Sequence, residues 1–122
     1  MKCYFAAPWF SPQQQVIHDK VLATIKSSHH TVFSPKEEIE VRPGDPPSKA
    51  ALAFSMNCNA IGKSDFMVCV TDYKDVGTIW EAGYAYRANI PIIYYAETLG
   101  ANRFNIMLAQ SGILVVQTQE AL

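Results

Sequence analysis

Long hydrophobic runs are missing from this sequence: no apolar stretch reaches the roughly 18 residues that a membrane span needs. Charge is also sparse. Only 17% of residues are charged and the net charge is −1. Lys and Arg are scattered along the chain, without the basic stripe that marks a nucleic-acid binder. A nucleic-acid polymer and a membrane are therefore not expected as partners. Cysteine is scarce too. Cys3, Cys58 and Cys69 form an odd set with no C-x-x-C spacing, each in apolar surroundings. They read as buried free thiols of a reducing compartment, so a cytoplasmic protein is expected. The phosphate-cradling patterns G-x-G-x-x-G and G-x-x-x-x-G-K-[ST] do not occur, nor does the G-x-S-x-G of a hydrolase elbow. His18, His29 and His30 do not sit at metal-ligand spacing with Cys or acids, and His29 and His30 read as solvated helix-end residues.

What is present fits one domain over residues 1–122, long enough to bury a core. Lys2 to Ala6 is a short apolar run stopped by Pro8. Ser11-Pro12 reads as an N-cap followed by Pro at the first helical position, and Ile17, Val21, Leu22 and Ile25 follow at helical spacing. Thr31 to Phe33 is a second strand. Ser34 to Pro47 carries prolines, a glycine and mixed charge, which predicts a long loop, and loops of that length are often functional. Ser48 to Lys63 reads as a helix with Ala51, Phe54, Cys58 and Ile61 on one face. Phe66 to Val70 is a continuous apolar strand, Gly77 to Ala88 a helix, Ile90 to Tyr95 a strand. Ala96 to Arg103 is a loop, Phe104 to Gln110 a short helix and Gly112 to Val116 the last strand.

Strands that alternate with helices, and are apolar throughout, predict a parallel sheet covered on both faces. The expected architecture is a small doubly wound α/β fold, flavodoxin- or Rossmann-like, with five parallel strands. Ligands bind such folds beyond the carboxyl ends of the strands. That rim holds Ala7–Phe10, Ser34–Pro47, Thr71–Glu81 and Glu97–Asn105. A phosphate-receiver domain would put paired acids after the first strand, where this chain has Ala-Ala-Pro-Trp.

The chemistry on that rim is carboxylate chemistry: Asp72, Asp75 and Glu81. Glu81 is the only charge between Asp75 and Arg87, and Trp80, Ala82, Gly83 and Tyr84 flank it. Two accounts stand side by side. Thr78-Ile79-Trp80-Glu81 matches a capping box in the first helical turn, with Glu81 reaching back to the backbone. Alternatively, Glu81 is an ionised carboxylate held at a ligand rim by the helix N-terminus, which is what a carboxylate nucleophile requires. Asn57 shares a helix face with Ala53, Phe54, Ala60 and Ile61. Its amide must find partners, either in a nearby loop or in a ligand. Trp9 and Phe10 either pack or stack on a planar ring. Asn105 reads as a helix cap or as a site residue.

Five segments then carry a resemblance: "YFAAPWFS" (Tyr4–Ser11), "HTVFSPKEE" (His30–Glu38), "NCNAIGKSDFMVCV" (Asn57–Val70), "DVGTIWEAGYAYRANIPII" (Asp75–Ile93) and "FNIML" (Phe104–Leu108). In this order they resemble the nucleoside 2-deoxyribosyltransferases, and Gly77 to Ala85 is the most specific stretch. The resemblance implies exchange of nucleobases on 2-deoxyribose through a covalent intermediate on Glu81. It implies that Asp75 binds the sugar hydroxyls, that Tyr4 positions the nucleophile and that Trp9 lines the base site. Phe10, Asn57, Asp72, Gly77 and Met107 complete the expected substrate-binding set. Asn105 is implied to reach the neighbouring site of a homodimer or higher oligomer. The partners implied are a 2-deoxynucleoside and a free nucleobase, with no metal and no organic cofactor. Some relatives place an Asp, the proton donor to the leaving base, where this chain has Asn57. A hydrolase branch acting on nucleotide monophosphates carries Ser in place of Asn105, so nucleosides are expected here rather than nucleotides. The alternatives are an N-glycoside hydrolase of 2-deoxynucleosides or their 5-monophosphates, and a non-catalytic nucleotide-binding module.

Overall fold

The computed structural model describes residues 1–122. The strands are β1 (Lys2–Ala6), β2 (Thr31–Phe33), β3 (Phe66–Val70), β4 (Ile92–Tyr95) and β5 (Leu114–Val116). The helices are α1 (Pro12–Ser27), α2 (Pro35–Glu38), α3 (Pro47–Lys63), α4 (Val76–Arg87) and α5 (Ile106–Ser111), with a 3-10 turn at Glu97–Leu99. All five strands are parallel, in the order β2-β1-β3-β4-β5. The doubly wound fold expected from the sequence is the fold observed. No helix is long and apolar enough to cross a membrane.

Side chains alternate across a strand, so each central strand feeds two cores. Cys3, Phe5, Val68 and Val70 face α1 and meet Ile17, Val21, Leu22 and Ile25. Tyr4, Ala6, Met67 and Cys69 face the other way and meet Ile61 of α3 and Ala82 and Ala85 of α4. All five residues of β3 are buried, as a strand covered on both faces demands. The helix starts follow local chemistry. Ser11 caps α1 in a full capping box: Gln14 N–H donates to its Oγ at 3.2 Å, and Ser11 N–H donates to Gln14 Oε1 at 3.1 Å. Such a cap is worth about 1 kcal/mol.

Several sequence expectations need correction. The loop after β2 contains α2, because Ser34-Pro35 sets a helical start. Helix α4 begins at Val76, not Gly77, and Asp75 is its cap. Strand β4 starts at Ile92, since Asn89 adopts a left-handed backbone (φ 62°) and Pro91 precedes the strand. On α3 the buried residues are Ala53 and Ile61, while Phe54 and Ala51 face solvent. Cys58 is half-buried rather than buried. His30 is half-buried too, edge-on to Phe66 at 5.1 Å, rather than fully solvated.

From β1 the chain crosses to β2 on one side and later returns to β3 on the other. The gap beyond the carboxyl ends of β1 and β3 is therefore the point where strand order reverses, and doubly wound folds bind ligands there.

Candidate active site

A cavity of about 420 Å³ opens at that point. Three segments build it. The end of β1 brings Ala7, Trp9 and Phe10; α3 brings Phe54, Asn57, Cys58 and Ile61; the start of α4 brings Asp75, Gly77, Thr78, Trp80 and Glu81. Pro35 closes the β2 side. The volume lies within the range of small-molecule sites.

The two accounts of Glu81 separate on the position of the cap. Asp75 Oδ2 accepts from Thr78 N–H and from Thr78 Oγ1, both at 2.9 Å. Asp75 thus does the capping, and the Thr78 hydroxyl is engaged with it. Glu81 is the sixth residue of α4, a turn beyond the position a capping box requires. Its partner is on another element: the Tyr4 hydroxyl donates to Glu81 Oε2. The expectation that Glu81 lies in the first helical turn, held ionised by the helix end, is corrected by the same geometry. Burial pushes the Glu81 carboxyl up to about 7. The Tyr4 bond opposes that rise and the nearby charge of Asp75 adds to it.

Tyr4 is itself fully buried in β1 and stacked on Phe33, with ring centroids 5.5 Å apart. Burial first, then the charge of Glu81, hold its phenol far above the ordinary range. Tyr4 is thus a fixed hydrogen-bond donor rather than an acid. Its strand fixes the ring, and α4 brings the carboxylate to it. Glu81 Oε1 has no hydrogen-bond partner, and Glu81 lines the cavity.

The aromatic residues are arranged in pairs. Trp9 and Phe10 lie 4.8 Å apart, and Phe54 and Trp80 lie 5.3 Å apart. Trp9 is steadied from the long loop, where Glu40 Oε1 accepts its indole N–H at 3.3 Å. Glu40, Phe54, Cys58 and Trp80 were not read as site residues from sequence. Phe54 and Trp80 had a signal in their spacing from Asn57 and Glu81; Glu40 had none. Asn57 is half-buried, and its Oδ1 is inaccessible and accepts no hydrogen bond.

Asp72, Asn105 and Met107 lie elsewhere. They line a second, larger cavity of about 840 Å³ between the loops after β3 and β4. Asp72 is buried and its oxygens are taken. Thr98 N–H and Oγ1 donate to Oδ1 at 2.7 and 2.6 Å, and Glu97 N–H donates to Oδ2 at 3.2 Å. It ties two rim loops together and does not reach the Glu81 cavity. Asn105 caps α5, accepting from Met107 and Leu108 N–H at 3.0 and 3.1 Å, while the Met107 side chain is exposed. No three His, Cys, Asp or Glu side chains converge at metal-binding distance.

The switch point of the sheet thus carries a half-buried carboxylate and two pairs of aromatic rings. Comparison with known proteins gives this fold and site a family. The model for nucleoside 2-deoxyribosyltransferases matches residues 3–115, and the chain belongs to that family. It is an enzyme family that acts on nucleosides. A 2-deoxyribosyltransferase from Bacillus psychrosaccharolyticus has a similar structure: TM-score 0.86, 26% identity, 99% of this chain and 89% of that one covered. A 2-deoxyribosyltransferase from Leishmania mexicana shares the fold at TM-score 0.69 and 20% identity, over 98% and 92% of the two chains. So does a CMP N-glycosidase from Clostridium botulinum, at TM-score 0.66 and 12% identity, over 98% and 93%. No curated protein matches the sequence.

Proposed function

We propose that this protein transfers 2-deoxyribose between nucleobases through a covalent ester on Glu81. The observation that carries the reading is the state of Glu81: clear of its own helix cap, held through one oxygen by Tyr4, and lining the cavity.

The ionised Glu81 Oε1 attacks the anomeric carbon of a 2-deoxynucleoside. The carbon–nitrogen bond breaks and its electron pair leaves with the base. The carboxylate charge stabilises the cationic sugar in the transition state. The departing base takes a proton from water; a ring nitrogen of a second base then displaces Glu81 from the opposite face and gives its proton up to water, so configuration is retained overall, as in retaining glycosidases. Tyr4 keeps the carboxylate in one orientation. The free oxygen of Asp75 binds the sugar hydroxyls, which is positioning rather than chemistry. Trp9 and Phe10 hold the base by stacking, worth roughly 1–3 kcal/mol in nucleic-acid systems. Asn105 and Met107, outside this cavity, complete the site of a second copy in a homo-oligomer. Water in place of the second base gives hydrolysis, so exclusion of water by the aromatic walls decides between the two outcomes.

Mass spectrometry of the intact protein mixed with a 2-deoxynucleoside tests this directly. The expected result is one deoxyribosyl adduct, absent from Glu81→Ala and chased into a new nucleoside by a second base. An adduct that persists in Glu81→Ala refutes the nucleophile. An adduct that water removes, with no new nucleoside when base is added, makes the protein a hydrolase.

A further inference from the structure

Trp9 lines the cavity from the segment between β1 and α1, outside any regular element. The torsion next to an aromatic ring is broad, so such a ring turns unless something directional holds it. Two neighbours touch it without fixing its plane. The Phe10 ring lies 4.8 Å away, tilted by 33°, and the buried His18 ring lies 6.0 Å away at 67°. The directional contact is the indole N–H, which donates to Glu40 Oε1 at 3.3 Å. Glu40 is held in turn by its other oxygen. Arg42 Nη2 donates to Oε2 at 3.1 Å, and this bond keeps the Glu40 carboxyl below its usual range. Arg42 N–H donates to Asp45 Oδ2 at 2.6 Å, and Lys49 Nζ of α3 lies 3.2 Å from the same oxygen. A continuous polar chain thus runs from α3 through the loop to the ring.

A ring stacks on a planar base only when its face is presented to it, so a bond at the ring's edge decides how well Trp9 serves. Glu40 does not itself line the cavity. We propose that Glu40 is a positioning residue for base binding: through the Trp9 indole N–H it fixes the plane of the ring on which the base stacks. The inference rests on the reading of this cavity as a nucleoside site. The competing account is that Glu40 only braces its own loop through Arg42.

The chain has two tryptophans, so a nitrogen–proton NMR spectrum shows two indole N–H signals, which Trp80→Phe assigns. Glu40→Ala is expected to shift the Trp9 signal and quicken its exchange with water. Glu40→Gln, whose amide oxygen still accepts, restores the protection. Calorimetric titration with free adenine and free thymine then reads base binding without turnover. Glu40→Ala is expected to weaken binding about two- to tenfold, the range of one hydrogen bond, and Glu40→Gln to keep the wild-type affinity. Trp9→Phe keeps a stacking ring and removes the N–H, so adding Glu40→Ala to it should weaken binding no further. An unmoved Trp9 signal in Glu40→Ala overturns the proposal. So does an equal loss of affinity in the Trp9→Phe background, which a mere brace of the loop would give. Wild-type protein that binds neither base refutes the nucleoside reading, and the positioning role falls with it. Binding without coupling between Glu40 and Trp9 refutes the positioning role alone.

Discussion

Replacing Glu81 by Gln should make the protein more stable, and only on the alkaline side. The carboxyl of Glu81 rises from its ordinary 4.5 to about 7, with burial as the largest cause. At about 1.4 kcal/mol per pH unit, that rise corresponds to about 3 kcal/mol. The sign follows from which state holds the proton. Between those two values the folded protein binds a proton that the unfolded chain has released. The favourable contribution of the neutral carboxyl is complete below pH 4.5 and lost as pH climbs through 7. Above that, a charge sits in a wall built of Trp80, Ile61 and Phe54, with Tyr4 as its one hydrogen-bond donor. Gln fills the same volume, still accepts from Tyr4 and never ionises. Denaturant unfolding at pH 4, 6.5 and 9 should show the stability of Glu81→Gln relative to wild type growing by about 3 kcal/mol across the range, roughly 10 °C in Tm. Every other titrating group is common to both proteins and cancels. A stability difference that stays flat from pH 4 to 9, or that favours the wild type at pH 9, refutes the assignment of Glu81 as a buried ionisable group. If the prediction holds, the protein is destabilised by the charge its chemistry uses, a common exchange of stability for activity.

Activity should follow the same group, with kcat/KM for base exchange rising as pH passes about 7. Tyr4→Phe removes the bond that lowers the Glu81 value, so the midpoint moves up. Asp75→Asn removes the charge that raises it, so the midpoint moves down, while Asn still caps Thr78. Coincident midpoints in the three proteins would disprove the coupling. At the far edge of the sheet, Gly112→Ala would set a Cβ 2.7 Å from Tyr94 Cδ2 and 3.0 Å from the Ile92 carbonyl oxygen. Forcing atoms into such a site costs about 1–3 kcal/mol, and an unchanged urea midpoint would show that Tyr94 moves aside without cost.

The sequence declares its elements where chemistry is local. Apolar runs such as Phe-Met-Val-Cys-Val announce β3, Ser11-Pro12 announces α1, and the alternation of the two element types announces the parallel sheet. Helix α3 is harder because its inward stripe is broken by a polar residue. Ala53, Asn57, Ala60 and Ile61 form the inner side, yet Ala51, Phe54, Cys58 and Ile61 make an equally regular apolar row. Only the cavity explains why an amide stands in the inward row and why Phe54 is left out in solvent at its lip. The start of α4 is ambiguous for a related reason. Asp75-x-x-Thr78 and Thr78-x-x-Glu81 overlap as cap patterns. The choice between them depends on the left-handed backbone of Tyr73 and Lys74 (φ 62° and 48°), which sets where the helix begins. Nothing in Tyr-Lys signals that conformation, since glycine or asparagine usually does.

The consequence of that turn reaches the chemistry. Three acids, Asp72, Asp75 and Glu81, follow β3 in close succession, and a chain entering the helix three residues later would give Glu81 the capping work. Because the helix starts at Val76, Asp75 takes the backbone and hydroxyl of Thr78. Asp72, one turn of loop earlier, is absorbed by Thr98 and Glu97 across the rim. Glu81 is then the one acid of the three with no backbone N–H to accept from, and it lies deep enough for burial to raise its pKa. A reactive carboxylate needs this poverty of partners, because each added N–H bond would lower its pKa and quench the lone pair. Tyr4 supplies one donor from a strand that cannot move, enough to orient the group without satisfying it. The position of the helix start thus separates the two acids that accept from backbone N–H groups, Asp72 and Asp75, from Glu81, which accepts only from Tyr4.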